Sequence, residues 1–443
     1  MSRRGRNRLH VWMNGDPVGI WQASSGSGPV FHYDASWLDS PRCRPLSLSL
    51  PLRPASDPWR GEPVGRFFDS LLPAGPRQRL WLCQQLGADS TDSIDLLAEA
   101  GLDCPGALRF SRQDCLPSVG APGDPLGTAQ LEILLSSLRQ GVTQSGAHRL
   151  APRAVLPGSH DKTALSRVGS AWHLPADGLP STHILHLPIE RHEEAGLVLN
   201  GSLENAWLCQ RVAAAFGVSM PRCELLHVGA LRALAIERTD RHRLADGRIV
   251  ALPQEDMCQA FGLPGHTSYQ ALGAPSLDRI ARLLLGSGEP EADRLTLLRI
   301  TLVMWLLCAF DGHARRLRIA LSAGGGYRLC TPLGVTSAYP LLGYGPGKLA
   351  GEQIHMALDL QSGTHTPAWP AMAARFHSRA AGTFQLPATT VASMIEEITA
   401  MALQISATLR RQLPAGFPVA VSEPILQGVV RAARTLSEAS RRN

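Results

Sequence analysis

Over its first fifty residues the chain alternates apolar and polar positions in short runs, the period-2 signature of strands with one buried face. Leu9–Met13, then Asn14-Gly15, then Val18–Trp21 predicts a β-hairpin, because Asn-Gly supplies the positive φ that a two-residue hairpin turn needs. Val30–Tyr33 predicts a third strand, and the strict alternation of Leu46–Leu52 a fourth with one apolar face. Helical spacing follows over Val64–Leu72 and Arg77–Gln85. Ser90-Thr91-Asp92-Ser93 offers several N-cap residues ahead of a helix from Ile94 that stops on Gly101.

Residues 111–160 are rich in Pro, Gly, Ser and Gln, with one amphipathic stretch at Leu131–Leu138, and place a boundary there. Beyond it Lys162–Val168 and Ala171–Leu174 predict paired strands, Thr182–Leu187 and Leu231–Glu237 further strands, and residues 203–216 a helix ended by Gly217. From about Gln254 the pattern is helical. Leu277–Leu285 and Arg294–Phe310 are long and apolar, and the second is apolar all round, as a core helix is. Tyr327–Leu329 follows a Gly324-Gly325-Gly326 turn as in a small hairpin, and Val391–Leu409 and Pro424–Leu436 close the chain with helices. This order predicts an α+β protein divided into 1–110, β-rich; 111–150, a linker with a short helix; 151–250, mixed; and 251–443, mostly helical.

Composition narrows the class. The 443 residues are 44% hydrophobic and 18% charged, enough for sizeable cores and too few charges for a disordered chain. No apolar run reaches the roughly 18–20 residues that span a bilayer, and none of signal-peptide length follows the basic start, so a cytoplasmic protein is expected. The nine cysteines form no C-x-x-C pair and the 15 histidines no H-E-x-x-H, which points to reduced thiols and to no zinc site. The net charge of +6 is carried almost wholly by arginine, with Lys162 and Lys348 standing out. The basic ends, Arg3-Arg4-Gly5-Arg6 and Arg441-Arg442, are read as solvated termini, with nucleic-acid contact as the other reading.

Five segments, in order, resemble one family. Val11-Trp12-Met13-Asn14-Gly15 with Val18-Gly19, then Arg44–Leu52, Phe67-Phe68-Asp69-Ser70-Leu71-Leu72-Pro73, Leu252–Gln259 and Asp311-Gly312-His313-Ala314 are similar to the signatures of the HipA serine/threonine kinase toxins. The resemblance implies a protein-kinase-like two-lobed fold: a small β-rich N-terminal subdomain, an N-lobe over 151–250 and a mostly helical C-lobe over 251–443. It also implies toxin–antitoxin biology, since HipA kinases phosphorylate glutamyl-tRNA synthetase and are held by the DNA-binding antitoxin HipB.

Carried over residue by residue, the resemblance makes Asp311 the catalytic aspartate, with His313 in the same motif. Gly158 and Lys162 match the phosphate-side loop, and Glu237 a hinge-like acid, although Thr239 replaces the aromatic two positions on. Other positions depart from the family. The magnesium-binding asparagine falls on Arg316 and the lysine before it on Arg315; the second metal-binding acid falls on Gly334. A guanidinium has donors only and glycine has no side chain, so neither can ligate a cation. The phosphate-binding lysine falls on His186, and the family's Asn-Glu pair on Asn205-Ala206, with Glu204 on a different helix face. The serine that the family autophosphorylates falls on Val155, so no phosphate switch is expected there; Ser159 is the nearest hydroxyl.

Phosphoryl transfer depends on positioning and charge stabilisation, and removing one such group typically costs about 10² to 10³ in rate. With the lysine and both metal ligands replaced, the expectation is a HipA-like pseudokinase that acts by binding a protein, without cofactor. The expected partner is a HipB-like helix-turn-helix antitoxin, with DNA reached only through it and no membrane. The alternative is an active nucleotide-dependent enzyme with a rewired site, using ATP and magnesium; a DNA-bound regulatory subunit is a third class. If the metal is gone, Arg316 is the expected counter-ion for Asp311.

Overall fold

The Asn-Gly turn takes the backbone that the pattern requires, with φ of 51° at Asn14 and 95° at Gly15. It joins the antiparallel strands Arg8–Met13 and Asp16–Gln22. The structure, a computed structural model, describes residues 7–23, 28–117, 123–141, 154–175, 180–189, 191–192, 197–363 and 366–440. Both basic ends, Arg3-Arg4-Gly5-Arg6 and Arg441-Arg442, lie outside the described residues. The hairpin is the centre of a five-stranded sheet, in which Asp16–Gln22 is followed outward by Val30–Tyr33 and Trp59–Arg60, and Arg8–Met13 by Leu108–Ser111. One face packs on the helix Glu62–Ser70, where Phe68 stacks on Trp21 at 4.3 Å and meets Phe110 edge-on.

The expected strand at Leu46–Leu52 does not form; the segment is a turn with a single bridge between Ser47 and Leu50. Its polar positions are not the solvent face. Ser47 is fully buried and donates to Glu255, Leu48 N–H donates to Glu255 Oε1 at 2.8 Å, and Ser49 Oγ donates to the Gln259 carbonyl at 2.8 Å. Strict alternation is also what a buried tether looks like when its serines bond another segment rather than water. Burial pushes the Glu255 carboxyl up to about 8 against the hydrogen bonds from Ser47 and Leu48.

A second five-stranded antiparallel sheet runs Cys223–Val228, Leu231–Glu237, His183–His186, Lys162–Val168, Ala171–His173. Its first strand escaped the sequence reading. Register divides its faces. Thr163 and Leu185 pair, as do Leu185 and Ala235, so these point one way; Lys162, His186 and Leu234 form the neighbouring row and point the other. The Leu185 face, with Leu165, Leu187 and Ala233, belongs to the same core as the N-terminal sheet and its helices. Helix Thr128–Gln140 joins that core through Leu131, Leu134, Leu135 and Leu138. Leu234 instead belongs to the core of the C-terminal half, built around helices Ser202–Ala215, Pro290–Leu306, Met372–Phe384, Ala388–Arg411 and Val419–Ser440.

The helical reading from Gln254 onward needs correction. Gln254–Asp256 is a strand pairing with Arg318–Leu321, which pairs in turn with Tyr327–Cys330. Among the described residues, 331–371 carry short 3₁₀ turns and isolated bridges but no longer helix or strand, and the loops that form the site come from here. Pro290–Leu306 is the core helix, with Trp305 stacked on Trp369. The last helix starts at Val419, with Pro424 inside its early turns. All nine cysteines are free thiols. No helix among the described residues is long and apolar enough to cross a membrane.

A buried ionic joint ties the N-terminal region to the second sheet. Arg238 donates to Asp240 at 2.8 Å, to Ser181 Oγ at 2.8 Å and to the Cys104 carbonyl at 2.9 Å, and Arg241 donates to Asp103 at 2.6 Å. Burial alone would raise the Asp103 and Asp240 carboxyls, but Arg238 and Arg241 hold both below the usual range.

Candidate functional site

The site lies where the Lys162–His186 row of the sheet faces the loops that follow the core helix. Helix Pro290–Leu306 ends in a tight turn at Cys308, whose φ of 50° is left-handed for a non-glycine residue. The Cys308 carbonyl accepts from Ala338 N–H at 3.0 Å and from Phe310 N–H at 3.1 Å, which fixes the turn. Asp311 follows, nearly buried.

Both oxygens of Asp311 are engaged by the protein. Oδ2 accepts from Arg316 Nη2 at 2.9 Å, and Oδ1 accepts from Thr336 N–H at 2.9 Å. The 3₁₀ turn Ala314–Arg316 allows this, because it brings residue 316 back toward residue 311. Arg316 is therefore the counter-ion that the sequence reading expected, and a backbone amide takes the second oxygen. Arg315, its neighbour, points elsewhere. It bonds Asp256 Oδ2 at 3.1 Å, the Gly265 carbonyl at 2.6 Å and the Ser70 carbonyl at 2.9 Å. That arginine brackets the Phe67–Leu72 segment onto the C-lobe, so the two adjacent arginines have separate tasks.

Gly334 sits one residue past Leu333, whose N–H donates to the Arg316 carbonyl at 2.8 Å. A Cβ at position 334 would lie 2.9 Å from Gln210 Nε2. The Gln210 side chain, on helix Ser202–Ala215, thus occupies the space into which an acid at 334 would project. It is buried, and neither amide atom has a partner among the described residues. On the same helix Asn205 clamps Ser337, accepting from its N–H and donating to its carbonyl, each at 2.8 Å. Glu204 is buried and pairs with Arg232, not with Lys162 or His186.

Lys162 donates to the Pro157 carbonyl, and its Nζ is 2.9 Å from the position of a Cβ at Gly158. Gly158 has a φ of 103°, so the close approach and the backbone both call for glycine. Burial, with Arg316 and Arg315 nearby, lowers the Lys162 ammonium to about 7. Burial and Lys162 keep His186 well below its ordinary value, so it is neutral. His313 packs edge-on to Tyr269 at 5.0 Å; burial and the two arginines push it down to about 3, and its Nδ1 has no partner among the described residues. The structure brings Asp311, His313, Arg316, Gly334, Lys162 and His186 into one neighbourhood. Glu237 is exposed at the end of its strand and bonds none of them. Val155 is fully buried, with its N–H on the Asp103 carbonyl.

Magnesium needs several oxygen ligands in near-octahedral order. Here the Asp311 carboxylate is committed to a guanidinium and an amide, and position 334 supplies no oxygen. No group of three or more His, Cys, Asp or Glu able to hold a metal occurs among the described residues. These residues do not fit a magnesium site.

The comparisons with known proteins bear on the same regions. The HipA N-terminal domain profile matches residues 9–111, and that of the HipA-like C-terminal domain residues 154–405. The chain belongs to the HipA family. Putative kinase Y4mE of Sinorhizobium fredii is 32% identical over 317 residues, 70% of this chain and 73% of that protein. The serine/threonine-protein kinase toxin HipA of Shewanella oneidensis is 24% identical over 311 residues, 66% of each. The solved complex of Shewanella oneidensis HipA, HipB and operator DNA contains a chain that superposes with a TM-score of 0.75 at 19% identity, covering 98% of this chain and 97% of that one. The fold is thus the α+β kinase-like one of HipA. The sequence reading did not find Gln210, Thr336 or the Arg315 bracket. Nothing in their local pattern marks them; each acts on a residue brought close only by folding.

Proposed function

We propose that this HipA-family chain is a pseudokinase that acts by binding a protein partner in a toxin–antitoxin-like module in the cytoplasm. The observation that carries the reading is the Asp311–Arg316 pair, with Thr336 N–H on the remaining oxygen. A catalytic aspartate must accept a proton from the substrate hydroxyl, and a metal must bridge the phosphates. A carboxylate closed by a guanidinium is poised for neither. The partner that fits is a HipB-like helix-turn-helix protein, with DNA reached through it, because the structural relative is a HipA–HipB–operator complex. No cofactor is needed for this role.

The second reading is an active nucleotide-dependent enzyme, a kinase with a rewired site or another nucleotide-using transferase. Asp311, Gly158 and Lys162 keep the family residues, and two relatives are named as kinases. Calorimetric titration of ATP with and without magnesium separates the two. Binding that is absent, or weak and unimproved by magnesium, is the expected result. Micromolar binding that tightens with magnesium overturns the pseudokinase and leaves the enzyme.

A further inference from the structure

The turn Leu46–Leu52 lies between the two cores. Leu46 and Leu50 belong to the N-terminal core, and Leu48, between them, packs against the core of the C-terminal half. The polar residues of the turn meet one acid. Glu255, on strand Gln254–Asp256, is 1% exposed, with its Oε2 bonded to Ser47 Oγ and its Oε1 accepting from Leu48 N–H at 2.8 Å. Ser47 Oγ also lies 2.8 Å from Ser49 Oγ and 3.2 Å from the Gln259 carbonyl, and it accepts from Ser49 N–H at 3.1 Å.

No cation acts on Glu255 among the described residues. Asp256, beside it, opposes its ionisation and is itself bonded to Arg315 at 3.1 Å. Arg44, ahead of the turn, donates to the Arg42 and Leu321 carbonyls. Arg318 pairs with Asp256 across the strands, and its charge acts on Asp240. Tyr33 OH accepts from Leu46 N–H at 2.9 Å and donates to the Leu50 carbonyl; burial raises both Tyr33 and Cys43, so neither is charged at neutral pH.

Two proton arrangements fit these distances, and they are not equal. If Glu255 is ionised, the single proton of Ser47 goes to Oε2. The contact between Ser47 Oγ and the Gln259 carbonyl is then acceptor against acceptor, and a carboxylate is buried with two hydrogen bonds and no cation. If Glu255 is neutral, the same bond runs the other way: Oε2–H donates to Ser47 Oγ. Ser47 is then free to donate to the Gln259 carbonyl or to Ser49, Ser49 donates to the Gln259 carbonyl at 2.8 Å, and Leu48 N–H keeps Oε1. Every group is paired and no charge is buried.

We propose that Glu255 is the neutral, proton-donating pin of a latch between the two cores, and that the latch opens by releasing that proton, so its hold weakens as pH rises through neutrality. Opening breaks the Glu255–Ser47 bond, and the carboxyl proton passes to water. Burial sets the closed value at about 8 against an ordinary 4.5. Below the lower value both states keep the proton and the hold is complete. Between the two values only the closed state keeps it, so each pH unit favours opening by about tenfold. Above the higher value both states are ionised and the loss levels off. Lys162 acts with the opposite sign and in a higher window, so the two devices are separable.

Hydrogen exchange of the full chain over residues 46–50 tests this at pH 5.5, 6.5 and 7.5, with protection expressed relative to an unstructured chain at the same pH. In the parent, protection of the Leu48 amide should fall about tenfold per pH unit. In Glu255→Gln it should stay level and exceed the parent at pH 7.5, because a glutamine amide donates to Ser47 and accepts from Leu48 as the neutral acid does. Infrared spectroscopy of the parent at pH 6.5 reads the proton without any variant and should show the carbonyl band of a protonated carboxyl. Parallel protection profiles in parent and variant overturn the latch, as does a Glu255→Gln chain less protected than the parent at every pH. Absence of the protonated-carboxyl band overturns it independently.

Discussion

Two clusters of charge sit at the two ends of the second sheet's neighbourhood, and they are built on opposite terms. At the joint, Asp103 and Asp240 face Arg238 and Arg241, all four side chains nearly inaccessible, and hydroxyl and carbonyl groups take spare donors. At the cleft, Asp311 has Arg316, while Lys162 has no carboxylate among the described residues and is made less basic by burial and two arginines. Arg316 Nε, His313 Nδ1 and the Gln210 amide lack partners there. Balanced, desolvated charge makes a permanent weld. The unbalanced set instead leaves buried polar atoms without partners among the described residues.

The contrast breaks most visibly at the joint. Arg238→Met leaves two buried carboxylates sharing the one guanidinium of Arg241 and should lower unfolding stability by about 3–5 kcal/mol, measured by denaturant titration. The parent joint should also fail in acid. Both carboxyls are held below their ordinary range, so their contribution is complete above that range and is lost as pH falls through and below it. A variant as stable as the parent would show that the weld carries nothing.

At the cleft a smaller effect is expected, and a metal should repair it. Arg316→Asn combined with Gly334→Asp adds an acid and removes the cation beside Asp311, at a cost of about 1–3 kcal/mol in the metal-free chain. Part of that loss should return with magnesium. A thermal melt unchanged by the double substitution, with or without magnesium, would count decisively against Arg316 as the counter-ion. The Gln210 amide has to move for an acid at 334, which adds to the cost.

The smallest effect is a slope. Lys162 has a folded value of about 7 against an ordinary 10.5, so between those pH values the unfolded chain binds the extra proton. Stability should rise with pH through that window, with the full penalty present below it. Lys162→Met should flatten the rise without unfolding the chain, read as the difference between parent and variant melts from pH 7 to 10. Parallel curves would mean that Lys162 keeps its charge at no expense.

Much of this was legible before folding. The Asn14-Gly15 hairpin, the helix at 203–216 and the core helix follow from local periodicity and turn chemistry, which act within a few residues, although the core helix was expected over Arg294–Phe310 and forms over Pro290–Leu306, its end replaced by the turn at Cys308. The ordered signatures ending at Asp311-Gly312-His313 marked the family and the position of the site. Arg316 was expected to meet Asp311 because it stands where the family has a magnesium ligand, and a guanidinium there can take the cation's place beside the acid. Less legible were Leu46–Leu52, where alternation predicted a strand and the serines instead tie down Glu255 and Gln259, and the stretch after Gln254, where strands hide among helical patterns.

By itself the sequence determined which residue types stand at the positions that resemble the family's site. A glycine at 334, an arginine at 316 and a valine at 155 cannot do what an acid, an amide and a serine do, whatever the fold. Only the tertiary structure decided what fills the gaps. It sent Arg315 and Arg316 in different directions, placed the Gln210 amide against Gly334 and buried Val155 against Asp103. Apart from the Arg316–Asp311 pair, those contacts join residues tens to hundreds of positions apart, and hydrogen-bond geometry and desolvation act through space, where the linear pattern carries no record of them.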